Sequence, residues 1–225
     1  PWMRHDLCRT ADADSITPQS ERSFNLYTMT ADEIRRFDCG SIEDPAFPEQ
    51  DQHITHKPTL AEVLEIVDEH ALLSGVPPPS FNIEIKSDPA LYGIYQPEPR
   101  EFALAVIAAM DSLGIADRCM LQSFDAAVLE VIHVERPEIA VAFLVESEGS
   151  LDQHLGLLSF TPDIYSPHFS MVDEALLSTI RAKEMELVVW TVNEPGDIRR
   201  MLDLGVDGII SDYPDRAIRM LENRE

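Results

Sequence analysis

From residue 59 onward the apolar positions switch between two periods. TLAEVLEIVDEHALL (59–73), REFALAVIAAMDSLG (100–114), DAAVLEVIHVE (125–135), VDEALLSTIRAKEM (172–185), EPGDIRRMLDLG (194–205) and YPDRAIRMLENRE (213–225) repeat their apolar residues every three to four positions, which predicts helices. Their punctuation agrees: Thr59 suits an N-cap, Gly114 a C-terminal stop, and Pro137 ends the helix before it. Between them lie FNIEIK (81–86), RCMLQSF (118–124), IAVAFLV (139–145), DIYSPHF (163–169), ELVVWTV (186–192) and VDGIISD (206–212). These are short, apolar or alternating, and rich in β-branched residues, so they predict six strands. The connection from 139–145 to 163–169 is the one without a clear helical pattern.

Strands alternating with helices predict an α/β fold with a parallel sheet, either open and doubly wound or closed as a (β/α)8 barrel. No GxGxxG or GxxxxGK[ST] follows a strand, which weakens a nucleotide-binding sheet. Residues 1–58 read differently. They carry Pro18, Pro45, Pro48 and Pro58 and one helical signal, TADEIRRFDCG (30–40), with Thr30 and Glu33 as a capping box and Gly40 as its close. The expectation is one domain over 1–225, with 1–58 as a long loop-and-helix insertion and 59–225 as βα units.

Composition narrows the function classes. Lys and Arg total 17 against 41 Asp and Glu, a net charge of −24, which argues against nucleic acid or an anionic membrane as partner. No apolar run approaches the roughly 20 residues of a membrane span, and residues 1–10 do not form a signal peptide. Cys8, Cys39 and Cys119 show no metal-binding spacing and no disulfide framework, so buried thiols are expected and the compartment stays open.

In a parallel barrel, chemistry gathers at the C-terminal strand ends. There the sequence offers Glu84 and Lys86, Gln122 and Ser123, Glu146, Pro167 and His168, Trp190, Thr191 and Asn193, and Ser211 and Asp212. Glu84 and Lys86 stand two apart on one strand and so share a side. They read either as a cation ligand beside a phosphate-binding ammonium or as a structural ion pair. Trp190 can floor a pocket or fill a core layer. His168 can act as an acid or base or serve structurally. Asp212 most simply caps the last helix. Ser123 lacks a GxSxG elbow, so a serine hydrolase is poorly supported.

FNIEIK (81–86), MLQSFD (120–125), VVWTVN (188–193) and GVDGIISDYPD (205–215) resemble, in order and spacing, segments of the glycerophosphodiester phosphodiesterases. KPTLAEVL (57–64) and the front segments PWM, SFNLYTMTADEIRRFDCGS (23–41) and FPEQ (47–50) resemble a bacterial branch. The resemblance implies a (β/α)8 TIM barrel that hydrolyses a small-molecule glycerophosphodiester to glycerol 3-phosphate and an alcohol, using a divalent cation, Ca²⁺ or Mg²⁺. It implies Glu84 as a metal ligand, Lys86 as the catalytic residue beside the phosphate, and Trp190 as a pocket wall. Gln122, Phe124 and His168 join Trp190 as candidate substrate-binding residues, and Tyr92 and Tyr95 as candidates for head-group selectivity.

The family's His-Arg-Gly and Glu-x-Asp motifs do not occur, and its second histidine would fall ahead of PWM; an alternative alignment sets His5-Asp6 there. The expectation is a barrel whose first two strands are absent from this chain. Catalytic histidines would then lie outside it. The alternative is an inactive truncated barrel acting as a binding module, its exposed edges covered by a partner such as a second copy.

Overall fold

Six runs of apolar and β-branched residues pair side by side as predicted. The computed structural model describes residues 1–222; positions 223–225 of the predicted closing helix lie outside the described residues. The strands are β1 (Phe81–Glu84), β2 (Cys119–Ser123), β3 (Ala140–Val145), β4 (Ile164–Pro167), β5 (Glu186–Val189) and β6 (Gly208–Ile209). They form one parallel sheet in the order β1-β2-β3-β4-β5-β6. A bridge between His168 and Trp190 carries the β4–β5 pairing past the strand ends.

The helices, numbered along the chain, are α1 (Ala31–Ile34), α2 (Leu60–Ser74), α3 (Pro99–Leu113), α4 (Ala126–Glu135), α5 (Leu151–Leu155), α6 (Glu174–Ala182), α7 (Pro195–Leu204) and α8 (Pro214–Glu222). From α3 onward one helix follows each strand, the βα rhythm of a barrel. The connection read as irregular, from β3 to β4, also carries a helix. It is α5, a single short turn fixed by a Ser150–Gln153 capping box, and too brief to leave a periodic signature. Helix 30–40 is the reverse case. Thr30 and Glu33 do form the expected capping box, yet α1 ends at Ile34. Gly40 serves instead as a close-approach point, because a Cβ there would meet the His53 carbonyl oxygen at 2.6 Å.

Chain contacts divide the protein into two compact units. The front unit comprises Pro1–Pro79 and Pro89–Glu101; the sheet unit comprises Ser80–Asp88 and the chain from Phe102 onward. The division falls at Pro79, past the boundary at residue 58, because α2 belongs with the front unit. The front unit has its own small core, with Met3, Cys8 and Ile16 buried under Leu7, Phe24, Leu26, Met29, Ile34 and Phe37. Cys8 and Cys39 form a disulfide within it, which corrects the expectation of buried thiols. A lone pair spaced 31 residues apart carries no recognisable spacing in sequence. Cys119 is the free thiol.

In the sheet unit the two-residue alternation sorts side chains onto two faces. Leu121, Val141, Phe143, Tyr165, Leu187 and Val189 lie on one face and are almost wholly buried. The helices that follow the strands supply buried apolar residues of their own, Ile107 and Met110 on α3, Val128, Leu129 and Ile132 on α4, Ile180 on α6, and Ile198 and Met201 on α7. Each such side chain contributes roughly 1.5–3 kcal/mol on removal from water. At the N-terminal strand ends, Asp163 accepts a hydrogen bond from the Val141 N–H and Asp207 one from the Leu187 N–H, both at 2.8 Å. These carboxylates satisfy backbone donors where the ladder starts.

Candidate active site

The opposite face of the sheet is the chemically mixed one. Register puts Glu84 beside Gln122, Gln122 beside Ala142, and Leu144 beside Ser166, and the bridge puts His168 beside Trp190. Five polar or aromatic side chains from β1, β2, β4 and β5 therefore share one face near the C-terminal ends of the strands. Ala142 and Ser166 on the same face are both fully buried.

Lys86 Nζ donates to Glu84 Oε2 at 2.9 Å. The lysine side chain is 79% exposed and the glutamate 23%. The pair is therefore formed, with an exposed ammonium on a more sheltered carboxylate. The strand end beneath it is tied by hydroxyls. Ser123 Oγ donates to the Ile85 carbonyl at 2.7 Å, Asp125 N donates to Ser123 Oγ, and Ser87 Oγ donates to Asp125 Oδ2 at 2.5 Å. Ser123 thus lies on the helix-facing side as a brace for β1. Asp125 also caps α4 through the Ala127 N–H.

Gln122 is 8% exposed and accepts from Asn82 Nδ2 at 2.9 Å. Trp190 Nε1 donates to the Ser166 carbonyl at 2.8 Å, which fixes the indole. Phe124 and His168 both meet Trp190 edge to face, each with ring centroids 5.3 Å apart. His168 Nδ1 accepts from the Ser170 N–H and lies 2.7 Å from Ser170 Oγ. The three rings form one aromatic wall beside Gln122 and Ser166.

Asp212 ties two loops together. Its Oδ2 accepts from Asn193 Nδ2 at 2.8 Å, and Asn193 Oδ1 accepts from the Asp212 N–H and from Ser211 Oγ. This clasp joins the loops after β5 and β6. Tyr92 and Tyr95 belong to the front unit, where Tyr95 packs on Trp2 at 5.2 Å under Arg22. His5 is there too, its Nδ1 2.6 Å from Glu21 Oε2.

Two buried residues escaped the sequence reading. Ser166 Oγ is buried without a hydrogen-bond partner on the site face, and counting back two positions from His168 would have found it. His154 is 4% exposed, with Nδ1 2.7 Å from the Tyr165 hydroxyl and Nε2 unpartnered. Burial pushes the Tyr165 phenol up to about 12, so it stays protonated. Among the described residues no group of three or more His, Cys, Asp or Glu could hold a metal ion, and no helix is long and apolar enough to cross a membrane.

Residues 3–216 match the model of the glycerophosphoryl diester phosphodiesterase family. A glycerophosphodiester phosphodiesterase of Bacillus subtilis is 29% identical over 230 residues, covering 95% of this chain and 74% of the relative. One of Caldanaerobacter subterraneus is 27% identical over 194 residues, covering 86% of this chain and 71% of the relative. Among solved structures, a protein of Silicibacter pomeroyi assigned to the same phosphodiesterases superposes with a TM-score of 0.83 at 28% identity, covering 99% of this chain and 77% of that one.

Proposed function

The chain belongs to the glycerophosphoryl diester phosphodiesterase family, a family of phosphoric diester hydrolases, and from that premise we propose that it cleaves a glycerophosphodiester to glycerol 3-phosphate and a free alcohol. The observation that carries the reading is the shared face: Glu84, Gln122, His168 and Trp190 stand together at the strand ends, with Lys86 held on Glu84. The six strands are the greater part of a (β/α)8 barrel, whose closure takes two further strands between β6 and β1.

Each side chain has a task in this reading. The Lys86 ammonium swings from Glu84 to a phosphoryl oxygen and stabilises the charge that builds there as the phosphorus–oxygen bond breaks. Its exposure leaves it room to turn, and its Glu84 partner holds it close by. Trp190, fixed through Ser166, packs against the carbon skeleton of the glycerol, and Phe124 and His168 narrow the space beside it. Gln122, braced by Asn82, presents its amide to a substrate oxygen. A held substrate in this geometry loses little freedom on the way to reaction.

Glu84 fits as one ligand of a divalent cation, Ca²⁺ or Mg²⁺. One carboxylate is not a complete site. Such cations complete their shell with further carboxylates, waters and substrate phosphate oxygens. When bound, the cation would supply charge neutralisation at the phosphate.

The test is hydrolysis of glycerophosphocholine and glycerophosphoglycerol by the enzyme made from its complete reading frame, with Ca²⁺, with Mg²⁺ and with a chelator. Release of glycerol 3-phosphate that the chelator abolishes and Glu84→Gln cripples is expected. Turnover indifferent to the chelator and to that substitution overturns the metal assignment, and no turnover of either diester overturns the substrate assignment.

A further inference from the structure

The wall residue His168 stands at the head of a turn with little holding it from within. Phe169–Met171 is a single 3₁₀ turn, a length at which helical hydrogen bonds are few and poorly aligned. Its closing bond, from the Val172 N–H to the Phe169 carbonyl, is 3.4 Å long. Contacts from outside fix it. On the strand side the His168 N–H donates to the Val145 carbonyl and the Phe169 N–H to the Trp190 carbonyl, both at 2.9 Å. On the helix side stands Arg200 of α7. Its Nη2 donates to the Phe169 carbonyl at 3.2 Å and its Nη1 to the Val172 carbonyl at 3.4 Å, while the guanidinium lies 5.7 Å from the centre of the Phe169 ring. A planar fork can span two carbonyls and face a ring at once, which an ammonium cannot. Ile198 and Met201, near it on the helix, are wholly buried and fix where residue 200 starts. The acid nearby, Asp197, is 3.7 Å from Nε, too far for a hydrogen bond, and half-exposed, so the turn is the firmer partner. Arg199 lines the same groove between α6 and α7 and is exposed, yet makes no side-chain hydrogen bond or ion pair among the described residues.

We propose that Arg200 is a positioning residue for substrate binding. It touches no substrate. It holds the turn from the helix layer so that Phe169 stays tilted on His168, with ring centroids 4.6 Å apart, and His168 stays edge-on to Trp190 at 5.3 Å. Those rings narrow the space for the glycerol end, which every glycerophosphodiester shares. Loss of the clamp therefore weakens binding of different diesters alike. It leaves Glu84 and Lys86 untouched, because they stand on and just beyond β1, three strands from β4. The signature is a rise in KM with kcat little changed. The substrate part of this inference rests on the phosphodiesterase reading; the clamp on the wall can be tested apart from it.

Two measurements on the enzyme made from its complete reading frame decide it. The first is steady-state kinetics with glycerophosphocholine and glycerophosphoglycerol for the wild type, Arg200→Ala, Arg200→Lys and Arg199→Ala, the last removing the same charge beside the same groove. Arg200→Ala is expected to raise KM for both diesters about tenfold with kcat within about threefold, Arg200→Lys to recover part of the loss, and Arg199→Ala to match the wild type. A KM within about twofold of wild type in Arg200→Ala, or an equal rise in Arg199→Ala, overturns the proposal. The second is NMR of the Trp190 indole N–H, identified by its loss in Trp190→Phe, and needs no turnover. Its resonance is expected to shift in Arg200→Ala and to hold its place in Arg199→Ala. A resonance unmoved in Arg200→Ala, even with a lowered thermal midpoint, reduces the arginine to a staple between α7 and the turn and overturns the proposal. If Arg200→Ala does not fold, Arg200→Lys carries both measurements, with an unmoved KM and an unmoved resonance as the overturning results. If the wild type hydrolyses neither diester, the phosphodiesterase reading fails while the indole resonance still decides the clamp.

Discussion

Lys86 is one of only three lysines in the chain, and it is placed where its charge is cheap to move. Being mostly exposed, its ion pair with Glu84 contributes little to folding. Lys86→Ala should therefore separate chemistry from stability. A fall in kcat of about 10²–10³, the scale for loss of one charge-stabilising donor, is expected with thermal midpoint nearly unchanged. A large drop in midpoint with little change in kcat would make the pair structural. Glu62 shows the opposite kind of acid. The Thr59 backbone N–H and hydroxyl and the Arg35 guanidinium hold its carboxyl down at about 2, from an ordinary 4.5. Because the folded value is depressed, the stabilisation is fully present above pH 4.5 and is lost as pH falls toward 2. Urea unfolding of wild type and Glu62→Gln should thus differ at pH 7 and converge by about pH 2; a difference that persists at pH 2 rejects this linkage.

At the level of elements, what could be read in advance was what repeats. Period-two alternation in FNIEIK was enough to put Glu84 and Lys86 on one side, and the apolar run VVW was enough to put Trp190 at a strand end, where the structure bridges it to His168. Elements of one turn, such as α5, are shorter than the period that would announce them. Contacts between distant residues left no trace either: the Asn193–Asp212 clasp, the His154–Tyr165 pair and the Cys8–Cys39 bridge each depend on which loops the fold brings together. The disulfide closes a 31-residue separation, so the chain-entropy argument gives it about 3–4 kcal/mol of stabilisation. Thiol titration in denaturant should count one thiol, Cys119, before reduction and three after. The thermal midpoint should fall in dithiothreitol and not fall in a Cys8→Ser/Cys39→Ser variant treated the same way. Three thiols without reductant would refute the bridge.

For the whole molecule, the charge balance shapes how substrate arrives. A net charge of −24 repels an anionic diester at long range, and salt screens that repulsion over about 10 Å at 0.1 M. Raising ionic strength with a fixed, saturating divalent cation should increase kcat/KM for glycerophosphoglycerol, which is anionic, and leave zwitterionic glycerophosphocholine nearly unchanged. A fall for the anionic diester would mean that the local field of Lys86 outweighs the global one. The two compact units also divide the chain's indoles between them: Trp2 sits in the front unit against Tyr95 and Arg22, and Trp190 in the sheet unit between Phe124 and His168. Each unit is born with its own fluorophore. Replacing Trp2 by phenylalanine leaves an emission that reports on the aromatic wall alone, so ligand arrival and the melting of each unit can be watched separately without attaching any dye.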